Sequence, residues 1–356
     1  MTGKLRSISR SALAALAAVA ALAISASPAS AKIEYGIAPN TGLAQGDLSL
    51  MKQGKVDFIR LPFDWGTVQG AAGDCTPTGG ACNWTPLDIQ VASASAAGLK
   101  VLPNINQSAP FVNSNVFKPP TNNIPAWKDF IEAAVQRYGP GGVAGLARPI
   151  TDWQIWNEPG SNGDFAPKPN PKKYGKILKA AGDTIHKADK KADVLVGGLF
   201  PDTGPKGIPV EKFLKQLYKI KKIEKSFDAV SVHPYSPKPG KGVLDQVERA
   251  RKSMNKAGDK KADIAVTELG YASGCPTCKK GNPPPVVVKN EKKQAKALTA
   301  SFKALKKKAG KLNLSSIIWF TWKDGAGPCA FCFTSGLLDG AGNPKPAYNA
   351  FKKAAG

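Results

Sequence analysis

Two glutamates stand where short apolar runs end, Glu158 in Trp156-Asn157-Glu158-Pro159 and Glu268 in Thr267-Glu268-Leu269-Gly270. Two carboxyl groups facing each other across a cleft suit one kind of chemistry. One protonates a departing oxygen while the other attacks or stabilises the electron-poor carbon left behind. The two roles need opposite pKa shifts. An aromatic, poorly solvated surround near Trp156 would raise Glu158, and Arg60 arriving beside Glu268 would lower that residue, with Tyr235 able to donate a hydrogen bond to it. A lone glutamate at a strand end is usually only solvated, so the weight lies in there being two at matched positions.

Such positions need a scaffold. Residues 32–356 contain eight short apolar runs: Ile33 to Ala38, Val56 to Leu61, Lys100 to Ile105, Trp153 to Asn157, Val194 to Leu199, Ala229 to His233, Ile264 to Glu268 and Ser316 to Trp322. Each is followed by a polar or glycine-rich loop, and most then by a segment of helical period. Trp127, Phe130, Ile131, Ala134, Val135 and Tyr138 fall on one helical face, closed by Gly139-Pro140-Gly141-Gly142, and Val210, Phe213, Leu214, Leu217 and Tyr218 repeat the pattern. These aromatics are read as core. Eight strand–loop–helix units predict a single α/β (β/α)8 TIM barrel, with Glu158 and Glu268 on strands four and seven at the mouth where the strands end.

The ordered set Ile59-Arg60-Leu61-Pro62, Trp153 to Pro159, His233-Pro234-Tyr235, Glu268 and Trp322 resembles the clan A glycoside hydrolases over all of residues 32–356, with family 39 and family 5 relatives the most similar. The resemblance implies a retaining β-glycosidase, with Glu158 as general acid/base and Glu268 as nucleophile. It also implies that Asn157 holds the 2-hydroxyl of the sugar, a bond that strengthens in the transition state.

The remaining candidates are read from their chemistry. Trp322 offers a flat apolar face for a pyranose, or else a plug in the barrel core. His233 serves substrate or an acidic neighbour, and a structural ion pair for Arg60 is as good a reading as substrate contact. His186, on a helix with Tyr174, Ile177 and Leu178, is read as surface. With two histidines in the chain, a His-rich metal site is not expected, and the chemistry calls for no metal or organic cofactor.

Residues 1–31 read as a cleaved export signal: Lys4, Arg6 and Arg10, an apolar run from Ala12 to Ile24, and a cut after Ala31 in Ala29-Ser30-Ala31. Residues 32–356 then form the catalytic domain, expected to be secreted or held in the cell envelope and to be monomeric. Without the three basic residues of the signal, 47 Lys+Arg face 26 Asp+Glu, a net charge of +21. That charge allows association with an anionic wall or membrane surface, whereas no aromatic-interleaved basic motif points to nucleic acid. Yet Lys190-Lys191 and Lys260-Lys261 precede predicted strands, which puts them at the far end of the barrel from the glutamates. Lys279, Lys280 and Lys323, on the glutamates' own face, would tolerate an acidic glycan.

Six cysteines form close pairs, Cys75 with Cys82, Cys275 with Cys278 and Cys329 with Cys332, all in loops on the side of the two glutamates. In an exported chain disulfides are the default, closed within each loop or crossing from 275/278 to 329/332. A four-thiolate zinc site and redox chemistry at CxxC are the alternatives. The expected substrate is an extracellular or envelope polysaccharide. A catalytically silent carbohydrate-binding barrel and a transglycosylase remain the competing functions.

Overall fold

The computed structural model describes residues 32–40, 42–200, 207–278, 286–325 and 329–356. The export signal expected over residues 1–31, and Lys279 and Lys280, lie outside the described residues.

Eight parallel strands close into a barrel. They are β1 (Glu34–Ala38), β2 (Phe58–Asp64), β3 (Lys100–Asn106), β4 (Asp152–Ile155), β5 (Asp193–Leu199), β6 (Ala229–Val232), β7 (Asp263–Leu269) and β8 (Leu314–Phe320). Each pairs with its neighbours in sequence, and β8 pairs with β1 to complete the ring. One longer helix follows each strand: α1 (Gln45–Gln53), α2 (Thr85–Ala96), α3 (Ile124–Tyr138), α4 (Pro171–Ala188), α5 (Val210–Leu217), α6 (Lys241–Lys256), α7 (Glu291–Leu312) and α8 (Pro346–Ala355). The eight apolar runs therefore all become strands of a (β/α)8 barrel.

Local chemistry sets the helix starts. The side chains of Asn123, Asn170 and Asn290 accept the backbone N–H three residues on and so cap α3, α4 and α7. Proline occupies the first turn of α2, α3, α4 and α8, where no backbone donor is required.

Alternation along the strands divides the core. Phe58, Leu102, Leu195, Ala229, Ala265 and Ile318 fill the barrel interior. The opposite faces meet the helices, where Trp65, Trp84, Trp127, Phe130, Tyr138 and Trp156 form a chain of ring contacts. Burying such rings contributes about 1.5–3 kcal/mol apiece. It also packs the chain just beyond β2 and β4, at Trp65 and Trp156, against α3.

The lysine doublets 190–191 and 260–261 sit in the loops that lead into β5 and β7, at the end opposite the glutamates. That end is also acidic: Glu34, Asp152, Asp193, Asp228 and Asp263 ring a hollow in the barrel floor together with Lys100. His186 is not simply a surface residue. Its Nε2 lies 2.9 Å from Asp228 Oδ2, at the edge of that ring.

Candidate active site

The segment after β4 turns sharply, with Trp156 at φ 71° and Glu158 at φ 39°, both in the left-handed region that non-glycine residues rarely enter. Such backbone costs about 1–3 kcal/mol per residue and persists where surrounding contacts impose it. Here the Trp156 ring is fully buried, its indole N–H donates to the Asp164 carbonyl at 2.8 Å, and its backbone N–H donates to the Ile105 carbonyl at 2.6 Å. Anchored behind by Trp156, the turn presents Asn157 and Glu158 to the barrel mouth.

Glu268 reaches the same place from β7. Arg60 Nη1 donates to its Oε1 at 2.7 Å, and the Tyr235 hydroxyl donates to its Oε2 at 3.0 Å. Arg60 is buried and divided among three partners, since its Nε donates to Gln154 Oε1 and its Nη2 to Asn157 Oδ1, each at 2.8 Å. One guanidinium thereby holds the residues of β4 and β7 in fixed relation. Asn157 keeps its Nδ2 toward Asp164, 3.4 Å away. Asn104 adds a further brace: in the amide orientation that satisfies its neighbours, it donates to the Trp156 carbonyl and accepts from Arg60 Nη2.

His233 is fully buried, with Nδ1 2.7 Å from Glu158 Oε1 and 3.7 Å from Glu268 Oε2, and Nε2 3.1 Å from Thr267 Oγ1. It therefore serves the acidic neighbour and does not face substrate, which corrects the reading of His233 as a substrate contact. Arg60 is likewise engaged with protein on every side. Gly198 makes the burial of His233 possible, because a Cβ there would overlap the imidazole ring.

The electrostatics separate the two glutamates. Burial raises Glu158, the contact with His233 offsets part of that, and the charges of Glu268 and Asp164 add to the rise. Burial would raise Glu268 as well. His233 and the Arg60 guanidinium, with the bonds donated by Tyr235 and Arg60, outweigh it and hold Glu268 below the usual carboxylate range. The surroundings thus push one carboxyl toward holding its proton and the one facing it toward losing its own. The nearest ligating atoms of Glu158, Glu268 and His233 all lie within 4.8 Å of one another, close enough to share an ion. In the arrangement described, Arg60 and Tyr235 already satisfy the oxygens of Glu268, and His233 satisfies Glu158.

Trp322 does not offer a sugar platform. It is fully buried outside the mouth, donates its indole N–H to Asp47 Oδ1 at 2.9 Å and lies edge-on to Tyr348. The side chain of β8 that does reach the mouth is Phe320, which packs on the barrel interior and is partly exposed. Two residues along a strand would have kept the same face, but β8 ends at Phe320 and the chain turns away. Lys323 pairs with Asp47 at 3.4 Å, so it is not a free cation for an acidic glycan.

The cysteines close within their own loops, Cys75–Cys82, Cys275–Cys278 and Cys329–Cys332. The bridged loops after β7 and β8 also hold each other, as Ser273 N–H donates to the Thr334 carbonyl and Gly274 N–H to Thr334 Oγ1. Phe331, inside the last bridge, packs edge-on against Tyr235 with ring centroids 5.4 Å apart. Gln154, Thr267, Asp164 and Phe320 also contribute to the site, and no motif in the sequence marks them. The available signal was polar residues at inward positions of otherwise apolar strands, as at Gln154 and Thr267.

No protein-family model matches the chain, and no curated protein matches it in sequence. Solved structures do match in fold. The structure is similar to a glucosidase from Croceicoccus marinus, with a TM-score of 0.68 at 17% identity over 91% of this chain and 67% of that one. It is similar also to a family 39 glycoside hydrolase from the gut symbiont Bacteroides cellulosilyticus WH2, with a TM-score of 0.64 at 18% identity over 92% and 64%. A monomeric β-xylosidase from Caulobacter crescentus CB15 gives 0.61 at 19% identity over 90% and 67%. The chain thus spans about two thirds of the length of these proteins. The shared feature is the fold, and it is the barrel that the resemblance in the sequence implied.

Proposed function

We propose that this protein is a retaining β-glycosidase, with Glu158 as the general acid/base and Glu268 as the nucleophile. The observation that carries the reading is the pairing of oppositely shifted carboxyls whose nearest oxygens lie within 4.8 Å. Double displacement uses carboxyl groups about 5–5.5 Å apart, whereas inversion needs about 6.5–9.5 Å to admit water between them. In the first step Glu268 attacks the anomeric carbon while Glu158 gives its proton to the departing oxygen. In the second, Glu158 takes a proton from water as the water displaces Glu268. Asn157, steered by Arg60, directs its amide N–H toward the sugar's 2-hydroxyl. Polysaccharide outside the cytoplasm is the proposed substrate, supported by the export signal in the sequence and by the cysteine pairs of the loops.

The test is a panel of aryl β-glycosides and polysaccharides with analysis of product stereochemistry, followed by Glu268→Ala in the presence of azide. Retained anomeric configuration, and an α-glycosyl azide from the variant, are expected. Undiminished activity in Glu268→Ala would sink the nucleophile assignment. Transfer products in preference to hydrolysis would indicate a transglycosylase, and the absence of turnover would indicate a carbohydrate-binding barrel.

A further inference from the structure

Two hydrogen-bond acceptors at the barrel mouth have no donor among the described residues. Asp64 ends β2 and Asn106 ends β3, and the two are register partners in the parallel pair. Both lie on the inward face. Phe58 and Leu102 fill the barrel interior, and even spacing along each strand carries that face up to Asp64 and Asn106, while Phe63 and Ile105 are buried on the helix side. Asn106 is 8% exposed, and its Oδ1 is buried without a hydrogen bond. The Asp64 side chain caps no helix, and no counter-charge offsets its burial.

An unpaired buried acceptor costs about 1–3 kcal/mol, and an ionised one costs more. Such a cost, met at Asn106 beside a half-buried carboxylate that has no counter-charge, at the end of a barrel where ligands bind, is retained when a ligand supplies the missing donors. The next strand round the ring is β4, which leads into Asn157 and Glu158, so the pair borders the proposed reaction centre.

We propose that Asp64 and Asn106 form a specificity-determining subsite that accepts hydrogen bonds from two donors of the bound sugar, hydroxyl or protonated amine, and rejects a uronic acid there. The inference rests on the glycosidase reading. Two acceptors side by side satisfy neighbouring hydroxyls of a neutral sugar or an ammonium of an amino sugar, and a sugar carboxylate would meet oxygen against oxygen. Burial pushes Asp64 up to about 6, so it is ionised and repels a uronate above that pH. The cations Arg60 and Lys323 are already taken by Glu268 and Asp47.

The experiment compares aryl β-glycosides of glucose, glucosamine and glucuronic acid on the wild type, Asp64→Asn, Asp64→Ala and Asn106→Leu. The wild type is expected to cleave the first two and to leave the glucuronide. Asp64→Ala should lower kcat/KM on the accepted sugars about 10- to 100-fold. Asp64→Asn should keep the neutral substrate better than the amino one and gain on the glucuronide. Because each acceptor is unpaired, Asn106→Leu should raise the melting temperature while lowering kcat/KM. Equal cleavage of the glucuronide by the wild type, or a lowered melting temperature with unchanged kcat/KM, would overturn the subsite. If the wild type cleaves no glycoside, the glycosidase reading fails, and the subsite is decided by calorimetric titration of oligosaccharides of the three sugars. Binding of the glucose or glucosamine series that is lost in Asp64→Ala supports it; equal binding in the variant, or no binding at all, overturns it.

Discussion

Arg60 Nη1 lies 2.7 Å from Glu268 Oε1, and both side chains are nearly buried, at 7% and 12% exposure. A buried, hydrogen-bonded charge pair of this kind resists loss of either partner, because the survivor is left uncompensated. After His233, Arg60 is the next charge that lowers the pKa of Glu268 against burial, and the first prediction concerns pH. Glu268 must be ionised, so kcat/KM should rise with pH through a lowered pKa. Glu158 must be protonated, so kcat/KM should fall with pH through a raised one. Arg60→Met removes the neighbouring positive charge and should move the acid limb to higher pH. An acid limb that stays in place in Arg60→Met would contradict the role given to the pair.

Glu158→Gln tests the proton donor. The substitution keeps shape and removes the transferable proton, and the expected loss in kcat is about 10²- to 10⁴-fold. Substrates with good leaving groups, which need little protonation, should be affected least. A uniform loss across leaving groups would place Glu158 outside the proton transfer.

Gly198→Ala tests the buttress. An added methyl group collides with the His233 ring, which holds Glu158 at 2.7 Å. A displacement of about 1 Å at a reacting group can cost about 100-fold. The variant is expected to lose kcat with KM little changed, while a Gly310→Ala control on α7, where no atom lies within 4 Å, keeps its kcat.

Trp322 and Phe320 should separate cleanly. Trp322→Phe removes a buried indole donor and leaves Asp47 Oδ1 without it, so stability should fall by about 1–3 kcal/mol in denaturant titration, with kcat/KM unchanged. Phe320→Ala should lower kcat/KM with a smaller loss of stability, because part of that ring faces the mouth. The reverse outcome would restore Trp322 as the sugar platform.

The acidic floor makes a prediction about stability alone. Burial first, and then the charges of Asp152, Asp228 and Asp263, raise Asp193 from 3.8 to about 6. A group whose folded pKa is raised adds stability below its unfolded pKa and loses that stability as pH climbs through the folded value. Asp193 therefore weakens the fold between about pH 4 and 6. Its partial exposure screens the effect, leaving about 1 kcal/mol. Asp193→Asn should be the more stable protein at pH 7, and the two melting curves should converge below pH 4. A variant less stable than the wild type at pH 7 would show that the ring is held by attraction instead.

Most of the barrel was legible because its signals are local. Eight apolar runs separated by turn residues, and helical faces such as Trp127 to Tyr138, are patterns that backbone geometry imposes on neighbours in the chain. The place of Glu268 followed from the same patterns, since a strand's end in a parallel barrel faces the mouth, whereas Glu158 lies past the end of β4 and is turned to the mouth by left-handed backbone at Trp156 and Glu158. The contact of Arg60 and Tyr235 with Glu268 was readable for the same reason.

What spacing along the chain could not decide was which way side chains face once the regular period ends. Trp322 lies two residues beyond β8, and the turn of the chain there, not alternation, buries it against Tyr348 and Asp47. His233 was placed at the mouth by its strand, yet whether it meets substrate or sits behind the glutamates depends on Gly198 of the neighbouring strand vacating room for its ring. The unpaired acceptors of Asp64 and Asn106 emerge only when two strands far apart in sequence are laid in register. The residue types and their order along the strands determined the scaffold and pointed to the pair of glutamates. Packing between strands, which sums contacts across the whole ring, decided ionisation, burial and which groups were left open to a ligand.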